Sequence, residues 1–75
     1  MTEVTIADLV AGSSYLYKYK TYKGDMVWCM GTYQSTFTAE GEGKVRYEFV
    51  EPFGLTSYTA SCLDKIFLLD APIAD

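Results

Sequence analysis

The 75 residues carry six cationic and ten anionic side chains, a net charge of −4, and are of a size for one small domain with a thin stability margin. With 49% hydrophobic residues and 16% aromatics the chain can build a core without a metal or disulfide staple, which excludes a disordered chain. Histidine and asparagine are absent, which removes the commonest general base and transition-metal ligand and excludes N-glycosylation.

Apolar runs near the two ends reach only about five residues, far short of the roughly 20 that span a bilayer, and no basic-then-apolar leader precedes them. The expectation is a soluble, unprocessed, cytoplasmic protein with no membrane association. Cys29 and Cys62 are too few for a disulfide framework and too far apart for a CxxC pair, so both are expected as reduced core thiols.

In chain order, residues 1–4 read as a loose tail. Thr5 to Gly12 places Ile6, Leu9 and Val10 at helical spacing between a capping residue and a glycine, which predicts one helical turn. From Tyr15 to Tyr22 tyrosines and lysines alternate, a period of two that predicts a strand. Lys23-Gly24-Asp25 signals a turn, and Met26 to Thr38 predicts a second strand paired to the first as a hairpin.

Glu40 to Gly43 marks the next turn, and Val45 to Val50 reads as a strand with Val45, Tyr47 and Phe49 on one face and Arg46 and Glu48 on the other. Pro52 and Gly54 end it. Tyr58 to Ala60 suits a short strand. Ser61 to Asp64 suits a capped single turn, and Lys65 to Leu69 a closing strand; a helix over 61–69 is the competing assignment, disfavoured by the short apolar run. Residues 71–75 read as a second loose tail.

Short strands with tight turns and one-turn helices predict an all-β fold, a small antiparallel five-stranded barrel, because closure hides strand edges. The order "ADLVAGSSYLYKY", "VWCMGTYQ", "YEFVEP", "SCLDKIFLL" resembles the small Src-homology-3-like proteins that tailed bacteriophages carry as accessory genes. That resemblance implies a small non-enzymatic protein that binds and modulates a host or defence component, in the host cytoplasm, and carries over no site residues. The signalling type of Src-homology-3 domain is matched only by "YLYKY" and "FGLTSY", and without its paired tryptophans no polyproline binding is expected. An oligonucleotide-binding barrel is the competing form; it usually needs a longer chain.

Catalytic motifs are missing. No serine sits in a GxSxG or Ser-x-x-Lys arrangement, and Gly41-Glu42-Gly43-Lys44 lacks phosphate-loop spacing and sets glutamates where phosphate would lie. No enzyme activity, cofactor or metal is expected. Charge is polarised: Tyr15 to Lys23 holds three lysines and no acid, leaving −7 on the remainder.

The hairpin register decides which residues share a face. A two-residue loop sets Tyr19 opposite Met30 and puts Trp28 with the leading tyrosines; a three-residue loop sets Tyr19 opposite Cys29 and puts Trp28 with Lys18, Lys20 and Tyr22. Tyr15 and Tyr17 are expected inside. Tyr19, Tyr22, Trp28 and Met30, with Lys18, Lys20 and Lys23, are the expected partner-binding residues. A protein partner is the first expectation; single-stranded nucleic acid stacked on the aromatics and a structural homo-oligomer are the alternatives.

Overall fold

A computed structural model describes residues 1–70. They form one antiparallel sheet of six strands: β1 (Thr2–Val4), β2 (Ser14–Lys20), β3 (Met26–Thr38), β4 (Val45–Glu51), β5 (Gly54–Thr59) and β6 (Leu63–Leu68). Their order across the sheet is β1-β6-β2-β3-β4-β5, and the sheet is not closed: β1 and β5 are its edges. The all-β expectation holds, with six strands in an open sheet where five in a barrel were expected.

The additional strand is β1, from the segment expected as a tail: Thr2, Glu3 and Val4 pair with Leu68, Phe67 and Ile66. The turn expected after it is one 3-10 turn, Ile6–Asp8. Thr5 and Asp8 close it reciprocally, Thr5 N donating to the Asp8 carboxylate (2.9 Å) and Asp8 N to the Thr5 carbonyl (2.9 Å). The Thr5 amide and then the Thr5 hydroxyl (3.0 Å), both donating to the carboxylate, hold the Asp8 carboxyl below its ordinary range.

No helix forms over 61–64. The Cys62 and Leu63 amides donate to the Thr59 and Ala60 carbonyls, so a plain turn replaces the one-turn helix expected at Ser61–Asp64, and β6 follows as expected but starts at Leu63, two residues before Lys65. Strand β5 starts four residues before the expected Tyr58, because Pro52 and Phe53 form the tip of a tight hairpin in which Glu51 opposes Gly54. Proline ends β4 there, as expected, but the same turn starts β5. The tail expected at 71–75 lies outside the described residues.

Strand β3 is 13 residues long and serves two partners, β2 over residues 26–32 and β4 over 32–38. An extra residue at Gln34 in β3 shifts the register between Tyr33 and Ser35, and another at Asp64 in β6 shifts it between Lys18 and Tyr19. Bulges of this kind bend a strand and raise its twist. The sheet curls enough for Tyr58 of β5 to touch Tyr17 and Tyr19 of β2, three strands away.

Inside the curl, Phe49 is fully buried among four tyrosine rings: Tyr17 (4.4 Å between centroids), Tyr33 (5.6 Å), Tyr58 (6.1 Å) and Tyr15 (6.5 Å). Ile66 completes the buried set. Tyr15 and Tyr17 thus lie in the core, as expected. Cys29 and Cys62 are free thiols packed against it, half-buried rather than enclosed, because each sits at the margin of the aromatic cluster. Among the described residues no helix is long and apolar enough to cross a membrane.

Candidate interaction face

The β2–β3 hairpin follows neither expected register. Its loop spans five residues, so Tyr19 opposes Val27 and Trp28 opposes Lys18. Thr21 closes this loop with three groups: its amide donates to the Asp25 carbonyl (2.8 Å), its carbonyl accepts from Gly24 (2.9 Å) and its hydroxyl accepts from Asp25 N (3.1 Å). Gly24 takes a φ of 91°, which a side chain would oppose. The slip relative to the three-residue loop is two residues, so side chains keep their faces and Trp28 joins the lysines.

Strand pairing sets out the outer face of the sheet in rows. Glu3, Phe67, Leu16 and Met30 oppose one another across β1, β6, β2 and β3; Lys65, Lys18 and Trp28 form the adjacent row; Lys20 opposes Met26 in the next. Trp28 and Met30 are close to half exposed, at 48% and 45%. The Trp28 and Phe67 rings lie 6.0 Å apart, tilted by 34°, and Lys18 Nζ stands 5.8 Å from the Trp28 ring centre. Lys18 also reaches Asp64 at 4.0 Å, a partly exposed pair that contributes little stability.

Of the seven residues expected to bind a partner, four share this face: Lys18, Lys20, Trp28 and Met30. Tyr22 and Lys23 sit in the loop, Tyr22 at 95% exposure with Lys23 Nζ 5.8 Å from its ring centre. Tyr19 goes inward, a correction to its expected place among the contact residues. Its ring packs on Tyr58 with centroids 4.8 Å apart, because the parity that exposes Lys18 and Lys20 turns Tyr19 toward the core. Leu16, Phe67 and Lys65 are face residues that the hairpin reading missed. Phe67 and Lys65 enter through β6, whose pairing with β2 has no local signal; the spacing of Leu16 with Lys18 and Lys20 was available.

A second cluster lies on the inner face, at the β4–β5 end. Glu51 Oε2 accepts the Tyr17 hydroxyl at 2.5 Å and the Tyr58 hydroxyl as well. The other two core tyrosines are also bonded, Tyr15 accepting from Val10 N (2.9 Å) and Tyr33 sharing a hydrogen bond with Thr36. Each buried tyrosine thus sets its ring in the core and its hydroxyl on a partner at the rim, where an unpaired polar group would be costly. Burial, then the Glu51 hydrogen bond and charge, push the Tyr17 and Tyr58 hydroxyls well above the ordinary tyrosine range. Burial followed by the Glu51 carboxylate also pushes the Cys29 thiol up, which keeps it a weak nucleophile.

The alkaline limit of stability follows from those shifts. A hydroxyl whose folded pKa is raised stabilises the fold fully below its unfolded pKa of about 10, and that contribution is lost as pH rises toward the folded value. Urea midpoints are expected to fall progressively above about pH 10, with tyrosinate absorbance from Tyr17 and Tyr58 appearing only as the chain unfolds. Seven tyrosines ionising together in a chain that stays folded would be incompatible with the Glu51 clasp.

Among the described residues no group of three or more cysteine, aspartate or glutamate side chains is placed to hold a metal ion. No protein-family model matches the chain, and neither a curated protein nor a solved structure matches it.

Proposed function

We propose that the chain is a small protein-binding module that acts by contact rather than catalysis and engages its partner through the outer face of β6, β2 and β3. In this reading the curled, open antiparallel sheet is a partly opened relative of the Src-homology-3-like proteins that tailed phages carry as accessory proteins, working in the cytoplasm on a host or defence factor. The tight turns and the bulged, doubly shared β3 support that likeness. The observation that carries the functional reading is the exposure of Trp28 and Met30 on one sheet face, beside the half-buried Phe67 and Leu16 and with Lys18 against the Trp28 ring.

Tryptophan and tyrosine dominate the energetics of protein interfaces, and methionine adapts to a partner's shape. Tyr22, at the loop tip, is free to extend the contact. The acidic remainder of the chain would steer approach to a partner with a basic surface beside the docking site.

The test is affinity capture from a candidate host lysate with the wild-type chain, Trp28→Ala and Tyr22→Ala, each checked for an unchanged circular dichroism spectrum. Trp28→Ala is expected to weaken capture of a defined protein about tenfold or more, as loss of an interface hot spot does. Tyr22→Ala is expected to weaken it less, since its loop position leaves the sheet contacts in place. A captured set that is identical for wild type and Trp28→Ala would overturn the proposal.

A further inference from the structure

Four of the chain's six cations, Lys18, Lys20, Lys23 and Lys65, lie on the outer face or at its hairpin tip. Lys18 is the only one of these four with an ion pair among the described residues. Lys65 and Lys18 are directly opposed across β6 and β2. Like charges so placed destabilise a strand pair, and one exposed contact to Asp64 at 4.0 Å only partly offsets this. An anion seated between the two ammonium groups would remove the repulsion.

The apolar residues adjoin these charges. Leu16 and Lys20 are four residues apart on β2, about 13 Å, and the three strands β6, β2 and β3 span about 10 Å. An extended peptide covers the longer dimension with about four residues. Phe67, Leu16 and Met30 form one row of that footprint, Lys65 and Lys18 share the next with Trp28, and Lys20 stands opposite Met26 in the third.

We propose that this face takes an acidic peptide segment of a protein partner, an aliphatic or aromatic side chain resting on Trp28 and Phe67 and flanking carboxylates bonding Lys18, Lys65 and Lys20. The inference rests on the protein-binding reading above and specifies the chemistry of the partner. Peptide fits better than single-stranded nucleic acid for a reason of length. A nucleic-acid groove follows a backbone through successive phosphate contacts. Here the lysines end within one short face, and Glu3, Asp64 and Asp25 stand at its margins on a chain of net charge −4.

The experiment is an amide NMR titration of the intact chain with three probes: a short capped peptide alternating glutamate with leucine and phenylalanine, the same peptide with lysine for glutamate, and a short oligothymidylate. The acidic peptide is expected to shift amides of residues 16–20, 28–30 and 65–67 saturably. Its affinity should fall about tenfold or more in Trp28→Ala and in the Lys18→Glu/Lys65→Glu double variant, and fall again between roughly 50 mM and 200 mM salt. Tighter binding of the lysine peptide or the oligothymidylate, or no saturable shift with the acidic peptide at low salt, overturns the inference.

The two proposals fail separately. If the double charge reversal leaves capture of the lysate partner intact while Trp28→Ala abolishes it, the module reading stands and the acidic segment is wrong. If neither variant affects capture, the module reading itself falls.

Discussion

Phe49→Ala is expected to remove most of the stability of this domain. Phe49 is fully buried and is the one ring that contacts all four buried tyrosines, so truncation opens a cavity that Tyr15, Tyr17, Tyr33 and Tyr58 all line. Phenylalanine-to-alanine changes in cores cost about 3–5 kcal/mol, whereas a domain of 75 residues has roughly 4–11 kcal/mol in total. The tyrosines cannot readily collapse into the space, because hydrogen bonds to Val10, Glu51 and Thr36 hold their hydroxyls at the rim. Urea unfolding followed by tryptophan fluorescence should show the midpoint displaced to low denaturant or no folded baseline at all. A loss below about 1 kcal/mol would mean that the aromatic cluster is not the centre of the core.

The contrast with Trp28 shows how far pattern reaches. Alternation in Tyr15–Lys20 was enough to state that tyrosines and lysines face opposite ways, and the tyrosine face is the buried one. Alternation also put Phe49 in the core and Tyr47 against it, whereas Val45, expected on the same face, lies exposed at the start of β4. Register was not legible in the same way. The loop between β2 and β3 is closed by the Thr21 hydroxyl, amide and carbonyl, and neither of the shorter loops built around Gly24-Asp25 has that closure.

Tyr19 fell on the wrong side for a related reason. Proximity to the hairpin tip suggested exposure, but strand parity overrides position along the strand. Phe67 illustrates a different limit: its partnership with Trp28 joins residues 39 positions apart through the β2–β6 pairing, which no local pattern encodes. Strand β1 was missed because three residues are too few to display a period, and its pairing, with β6, joins opposite ends of the sequence. The candidate face was therefore half readable, its β2 and β3 members from alternation and its β6 members only from the assembled sheet.

The second large effect concerns Gly31, whose importance no turn or positive φ announces. Gly31 lies within β3, and a Cβ added there would fall on the Tyr17 hydroxyl oxygen and approach Phe49 Cβ and Glu51 Cγ to 3.2 Å. The absent side chain leaves the space in which Tyr17 meets Glu51. Gly31→Ala is expected to destabilise by about 1–3 kcal/mol through overpacking. It should do so chiefly by displacing the Tyr17 hydroxyl from the Glu51 carboxylate, since Phe49 Cβ and Glu51 Cγ lie at distances that need shifts of only a few tenths of an ångström.

Tyr17→Phe isolates that cause. It deletes the oxygen that the new methyl group meets, at a cost of about 1.5–3 kcal/mol for the lost hydrogen bond to a charged group, while Glu51 keeps Tyr58 as a donor. In the double variant the clash partner is gone, so the two costs should not add: Gly31→Ala on the Tyr17→Phe background should cost at least about 1 kcal/mol less than on the wild type, a coupling measurable in a double-mutant cycle of urea midpoints. Strict additivity would show that Gly31 is needed for reasons other than the Tyr17–Glu51 contact. The coupling matters for the outer face as well, because Gly31 separates Met30 from Thr32 on β3 and Tyr17 separates Leu16 from Lys18 on β2. A bond that fixes these two positions on the inside of the sheet also fixes the rows of apolar and cationic side chains on its outside.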